Sequence, residues 1–225
     1  MSLGAGLAAM AIATPTQAMS IQELFNGVSK DTQPVAVVMA LKTEAFRNAH
    51  AGLIARSECI ETNLIPHNNT DAPGFDSLEE HMLGSKNKVV ETVESYIMKS
   101  IKIFCSSPVT EQHSTSEAPT KFRPTPVADF YKAIPDNAEK IVVLNLALST
   151  QAARVAHAGD AARGRCTDGL EVKIVGGRPI IPDVFKRDVM QRLAVAHASG
   201  STSEFVEGIV IQAITKNCGI ETNKE

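Results

Sequence analysis

The sequence predicts an all-α, mostly helical protein built from two tandem copies of a small disulfide-stapled helical unit. Three observations lead there. One block of sequence recurs without a gap, apolar residues return every three or four positions through most of each half, and the four Cys fall two to a copy near predicted helix ends. With 44% apolar and 21% charged residues, the chain has the make-up of an ordinary globular protein, which argues against wholesale disorder or a membrane bundle.

The recurring block reads ALKTEAFRNAHAGLIARSEC at residues 40–59 and ALSTQAARVAHAGDAARGRC at residues 147–166, identical at 12 of 20 positions with a constant offset of 107. Two weaker matches follow the same order. VESYIMKSIKIFC (93–105) aligns with VEGIVIQAITKNC (206–218), and ELFNGV (23–28) with DFYKAI (129–134). Between the copies, residues 106–126 are rich in Ser, Thr and Pro and poor in large apolar groups, so they cannot bury enough surface to offset their ordering entropy and are expected to act as a linker. The expected organisation is a signal peptide at 1–18, one helical repeat at 19–105, the linker at 106–126 and a second repeat at 127–220.

The leader expectation rests on the apolar run Leu3 to Ala13, too short for a membrane span but suited to the core of a secretory signal. Small residues Thr16 and Ala18 allow cleavage after Ala18, although no Lys or Arg precedes the run. The polar, helix-like IQELF comes next. From Asp31 the positions Val35, Val38, Leu41, Ala45, Ala49 and Gly52 predict a long helix, with Pro34 tolerable in its first turn. Pro135 and Asp136 start its counterpart, and both helices are expected to run to Cys59 and Cys166. On that reading Gly52 and Gly159 lie mid-helix, and they are expected to mark close packing together with the Ala stripe.

Further helices are expected at about 89–104 and 203–217, each ending at a Cys. The joining segments differ: SLEEHML (77–83) is short, whereas Asp183 to Ser199 forms a strong helix stopped by Gly200. EVKIVGGRPIIP (171–182) reads as a short hairpin or an extended loop.

Cys59 and Cys105, like Cys166 and Cys218, lie too far apart in sequence for a CxxC redox or zinc site. One disulfide per copy is expected, tying the long helix to the last one; four buried free thiols are the alternative. Such bonds are rare in the cytosol, so the expected location is periplasmic or secreted.

Thr43, Arg47 and His50 stand at i, i+4 and i+7 on one predicted helix face, and Thr150, Arg154 and His157 repeat them, a candidate binding face for a carboxylate or phosphate. The structural alternative pairs each Arg with an acidic group of a neighbouring helix and places each His in a half-buried interface. Arg56 and Arg163 are expected in a last helical turn, complementing the helix dipole. No catalytic residue, cofactor or metal is expected: His67, His81, His113 and His197 lack partners at ligand spacing, and GGRP at 176–179 is too short to claim as a phosphate cradle. NNT at 68–70 is a glycosylation sequon, meaningful only in a eukaryotic secretory route. Residues 1–105 carry 8 basic and 11 acidic groups and residues 126–225 carry 12 of each, so neither half is a basic arm for nucleic acid, and no integral membrane span is expected.

Each copy has the outline Gly-x-x-Ala-Arg-x-x-Cys, a variable loop, amphipathic helices and a final helix ending in Cys. In this layout the chain resembles the small helical, disulfide-closed periplasmic proteins that include acid-stress chaperones of the HdeA type and the immunity proteins that neutralise type VI secreted amidases. The resemblance covers residues 159–218 and, more weakly, 52–105. It implies a binding protein without catalysis, whose loop or helix end meets a protein partner in the envelope or among secreted proteins. The function expected is therefore an exported, non-enzymatic protein-binding module. The alternatives are a periplasmic enzyme using the repeated Arg and His face, and a pH-responsive acid-stress chaperone.

Overall fold

Helix boundaries follow the capping chemistry of the chain. In the computed structural model, which describes residues 18–66, 72–85, 91–105, 123–175 and 178–219, the first half holds α1 (Ile21–Gly27), α2 (Thr32–His50), α3 (Ile54–Asn63), α4 (Pro73–Gly84) and α5 (Val93–Cys105). The second half holds α6 (Val127–Ala133), α7 (Asn137–His157) and α8 (Ala161–Asp168), then the strands β1 (Lys173–Val175) and β2 (Arg178–Ile180). A π-helical segment (Phe185–Met190) runs directly into α9 (Gln191–Ala198), and α10 (Val206–Cys218) closes the chain. The fold is mostly α, as the periodicity predicts. Nearly all of the expected leader, the sequon at 68–70 and residues 106–122 of the linker lie outside the described residues, as do His67 and His113.

Ser20 and Glu23 start α1 with a reciprocal capping box, and the Asp136 carboxylate accepts from the Ala138 and Glu139 N–H groups at the start of α7. The 171–182 segment resolves in favour of a hairpin, with Lys173 opposite Ile180. Both disulfides form, Cys59 with Cys105 and Cys166 with Cys218, and the described residues hold no free Cys.

The long helices end earlier than the apolar pattern predicts. Helix α2 stops at His50 and α7 at His157, because Gly52 and Gly159 adopt φ of +78° and +89°, a conformation that L side chains rarely take. The expectation that these glycines mark close packing is thereby corrected: a Cβ built on either meets nothing within 4 Å among the described residues. They reverse the chain, and the close contact is made by the helix that follows. A Cβ on Gly164 of α8 would lie 3.1 Å from the Ala156 Cβ and 3.3 Å from the Ala152 carbonyl oxygen of α7. At the equivalent place in the first half, the Ser57 hydroxyl of α3 donates to the Ala45 carbonyl at 2.8 Å. The Ala stripe does receive a close neighbour, but one that arrives after the turn.

The two halves pack together around one core. Ala36, Ala40 and Leu41 of α2 and Val143, Leu144 and Ala147 of α7 are fully buried within the same apolar cluster. Residues at equivalent positions of the two helices touch near their starts, where the Thr32 hydroxyl donates to the Glu139 carboxylate at 2.6 Å, and again further along, where the Gln151 amide donates to Glu44 at 2.9 Å. Equivalent residues can meet at two levels only if the helices run side by side in the same direction, so α2 and α7 are parallel.

Each half also lays its last helix on the long helix of the other, α5 on α7 and α10 on α2. The Val93 N–H donates to the Met19 carbonyl while the Met19 N–H donates to Glu94; likewise the Val206 N–H donates to the Thr125 carbonyl and the Thr125 N–H to Glu207. Among the described residues no helix is long and apolar enough to cross a membrane.

Candidate functional site

The repeated Thr, Arg and His positions do come close to the seam between the halves, but their side chains are used differently from a binding face. Thr43 and Thr150 are buried and donate back to the carbonyls of Met39 and Leu146, each at 2.8 Å. Arg47 and Arg154 both turn onto a single carboxylate, that of the fully buried Glu44. Arg47 reaches it through Nη2 at 2.7 Å and Nε at 3.1 Å, and Arg154 through Nε at 3.3 Å. Asn48 Nδ2 adds a donor at 3.1 Å. Burial alone would push the Glu44 carboxyl up, but the two guanidiniums and the Gln151 amide outweigh it and hold the group below the ordinary carboxylate range.

The expected pairing of each Arg with an acidic group of a neighbouring helix is met by Arg154, whereas Arg47 pairs within its own helix. The histidines correct the half-buried expectation. His50 and His157 are exposed because their helices end at them; His50 stacks on Phe46 with ring centres 4.2 Å apart, and His157 Nδ1 lies 2.8 Å from the Ala153 carbonyl oxygen. Arg56 and Arg163 are likewise displaced from the predicted last turn to the first turn of α3 and α8, since each helix restarts after its glycine.

Further buried carboxyls were not anticipated, and burial raises three of these, Glu94, Glu207 and Glu171. Glu94 of α5 accepts from the Met19 N–H at 2.9 Å and from the Ser149 hydroxyl of α7, and burial raises it against those bonds. Glu207 of α10 is its equivalent, also raised by burial, and it is opposed by the Thr125 bonds and by Lys42 of α2. Glu171, beyond α8, is pushed up to about 9, first by burial and then by the nearby charges of Asp168 and Glu94, with Lys173 acting in the other direction. The Glu pair was readable in principle, because VE opens both aligned final helices. Glu171 had no such signal.

One surface feature lies in the second half. The π-helical segment and α9 border a groove of about 280 Å³ lined by Arg187, Gln191, Arg192, Val195, Ser199 and Glu204. Arg187 forks onto its neighbour Asp188 at 2.7 and 3.0 Å, and Asp188 also receives Lys216 at 2.8 Å and Asn217 at 2.9 Å from α10. These donors hold its carboxyl far below the usual range. Arg192 reaches Gln212 at 2.7 Å and Glu204 at 3.5 Å. Val195, by contrast, is 62% exposed on a helix that buries Leu193 and Ala196. Comparisons with protein-family models, with curated proteins and with solved structures returned no match to the chain.

Proposed function

We propose that this chain is an exported, non-enzymatic protein-binding module whose partner sits on the groove beside the π-helical segment and α9. The groove carries the reading: two arginines, each braced by a carboxylate, line it together with an exposed Val195. A braced guanidinium still has N–H donors to offer and loses little freedom on binding. The occupant that fits is a protein segment bringing a carboxylate to the arginines and a small apolar side chain to Val195. Local π-helical geometry is frequent at functional sites. Export is supported by the two disulfides, which persist in oxidising compartments, together with the leader-like start of the sequence. A binding role is also what the resemblance to HdeA-type chaperones and amidase immunity proteins implies.

The test is affinity capture from the envelope fraction of the native host, followed by titration of the captured protein. One partner should bind the wild-type chain and the Glu79→Lys control on α4, and should be lost with Val195→Asp and with Arg192→Glu. A partner indifferent to both groove variants would overturn the reading, as would the lack of any partner that prefers the wild-type chain to an unrelated disulfide-bonded protein.

A further inference from the structure

We propose that Glu94 and Glu171 form an acid-stabilised latch that holds the segment between α8 and the hairpin against α5 and α7, and that this segment opens as pH rises. The two carboxyls are brought to adjoining turns of one helix. Asn145 and Ser149 lie four residues apart on the same face of α7. Asn145 clamps Val172, accepting its N–H at 2.7 Å and donating to its carbonyl at 3.2 Å, while Ser149 donates to Glu94. Glu171 is therefore fixed next to the stretch of α7 on which Glu94 rests, and both are buried.

The surroundings favour the protonated forms. Among the described residues Glu94 Oε2 is buried with no hydrogen-bond partner. Among the described residues the charged groups acting on Glu171 are the carboxylates Asp168 and Glu94 and the cation Lys173, whose Nζ lies 3.2 Å from the Asp168 carboxylate. The donors facing Glu94 are neutral: the Met19 N–H and the hydroxyls of Ser149 and Thr92. The first half lacks this arrangement. Five residues beyond Cys59, where Glu171 stands beyond Cys166, it has the fully buried Leu64, and Glu207, the equivalent of Glu94, has Lys42 beside it.

A carboxyl held protonated in the closed state and free to ionise in the open one links opening to proton release. Closure is strongest below the ordinary carboxylate range, near 4.5, and weakens as pH rises toward about 9. Opening frees Leu170 and Val172, both buried in the closed state.

The reporter is amide hydrogen exchange of Val172 in the full disulfide-bonded chain, corrected for the intrinsic pH dependence of exchange. Between pH 5 and 8 the corrected protection should fall about tenfold per pH unit for the release of one proton. Glu171→Gln should flatten the fall, and Glu207→Gln should leave it intact. If Glu171→Gln does not fold, Asp168→Asn provides the same test by removing a neighbouring negative charge: with the Glu171 carboxyl less raised, the fall should level off at a lower pH than in the wild-type chain. Constant wild-type protection across this range, an equally steep fall in Glu171→Gln, or a fall in Asp168→Asn that levels off no earlier than in the wild-type chain would overturn the latch.

Discussion

The two halves share a frame and differ in the chemistry they place on it. In both, a long helix ends at His-Ala-Gly, the chain turns on a positive-φ glycine, a short helix returns, and a disulfide joins it to the last helix. On that common scaffold the seam has Glu44 on one side and Gln151 on the other, so one carboxylate serves two arginines. Leu64 on one side corresponds to Glu171 on the other, and α4 to the longer π-helical segment with α9. Backbone features repeat because they close the fold; the polar substitutions mark where the second half has taken on something more.

Removing a disulfide is the largest way to break the comparison, and it should break it equally on either side. The bonds close loops of similar length, with separations of 46 and 52, so Cys59→Ser with Cys105→Ser, or Cys166→Ser with Cys218→Ser, should each cost about 4 kcal/mol in urea unfolding. Unequal losses would show that one half carries more of the stability than its loop length explains.

The seam comes next, and there the halves should differ. Glu44→Gln leaves two largely buried guanidiniums without their shared carboxylate and should cost about 3 kcal/mol. Gln151→Ala removes one hydrogen bond to Glu44 and should cost about 1 kcal/mol. Equal losses would mean that Glu44 is not the anchor of the seam.

Smaller still are the turns. Gly52→Ala and Gly159→Ala force a side chain into a positive φ where no neighbour is crowded, so each should lower stability by about 1 kcal/mol, in both halves alike. A loss of several kcal/mol at either would restore a packing role to that glycine.

The repeat made much of this legible in the sequence. Matching blocks placed the helices and the cysteines because burial and disulfide closure impose the same residues twice. The glycine turns were misread because a glycine inside an apolar period looks the same whether it continues a helix or ends one; only φ decides. The Arg and His face was legible only in part, for a related reason. Helical spacing puts Thr43, Arg47 and His50 on one side, but Glu44, one of the positions at which the repeated blocks differ, draws both arginines into the seam. Glu171 stayed invisible because its burial depends on the Asn145 clamp across 27 residues of sequence, which no local pattern encodes.

The central claim is that two similar halves form one cooperative body through the α2 and α7 seam and the exchanged last helices. The chain has no Trp and two Tyr, Tyr96 in the first half and Tyr131 in the second, so Tyr131→Phe leaves a reporter in one half and Tyr96→Phe leaves one in the other. In urea, each variant's tyrosine fluorescence should give the same midpoint as its own helical circular dichroism, whichever half holds the reporter. A tyrosine transition that departs from the circular dichroism of the same protein, with one half melting first, would contradict the account.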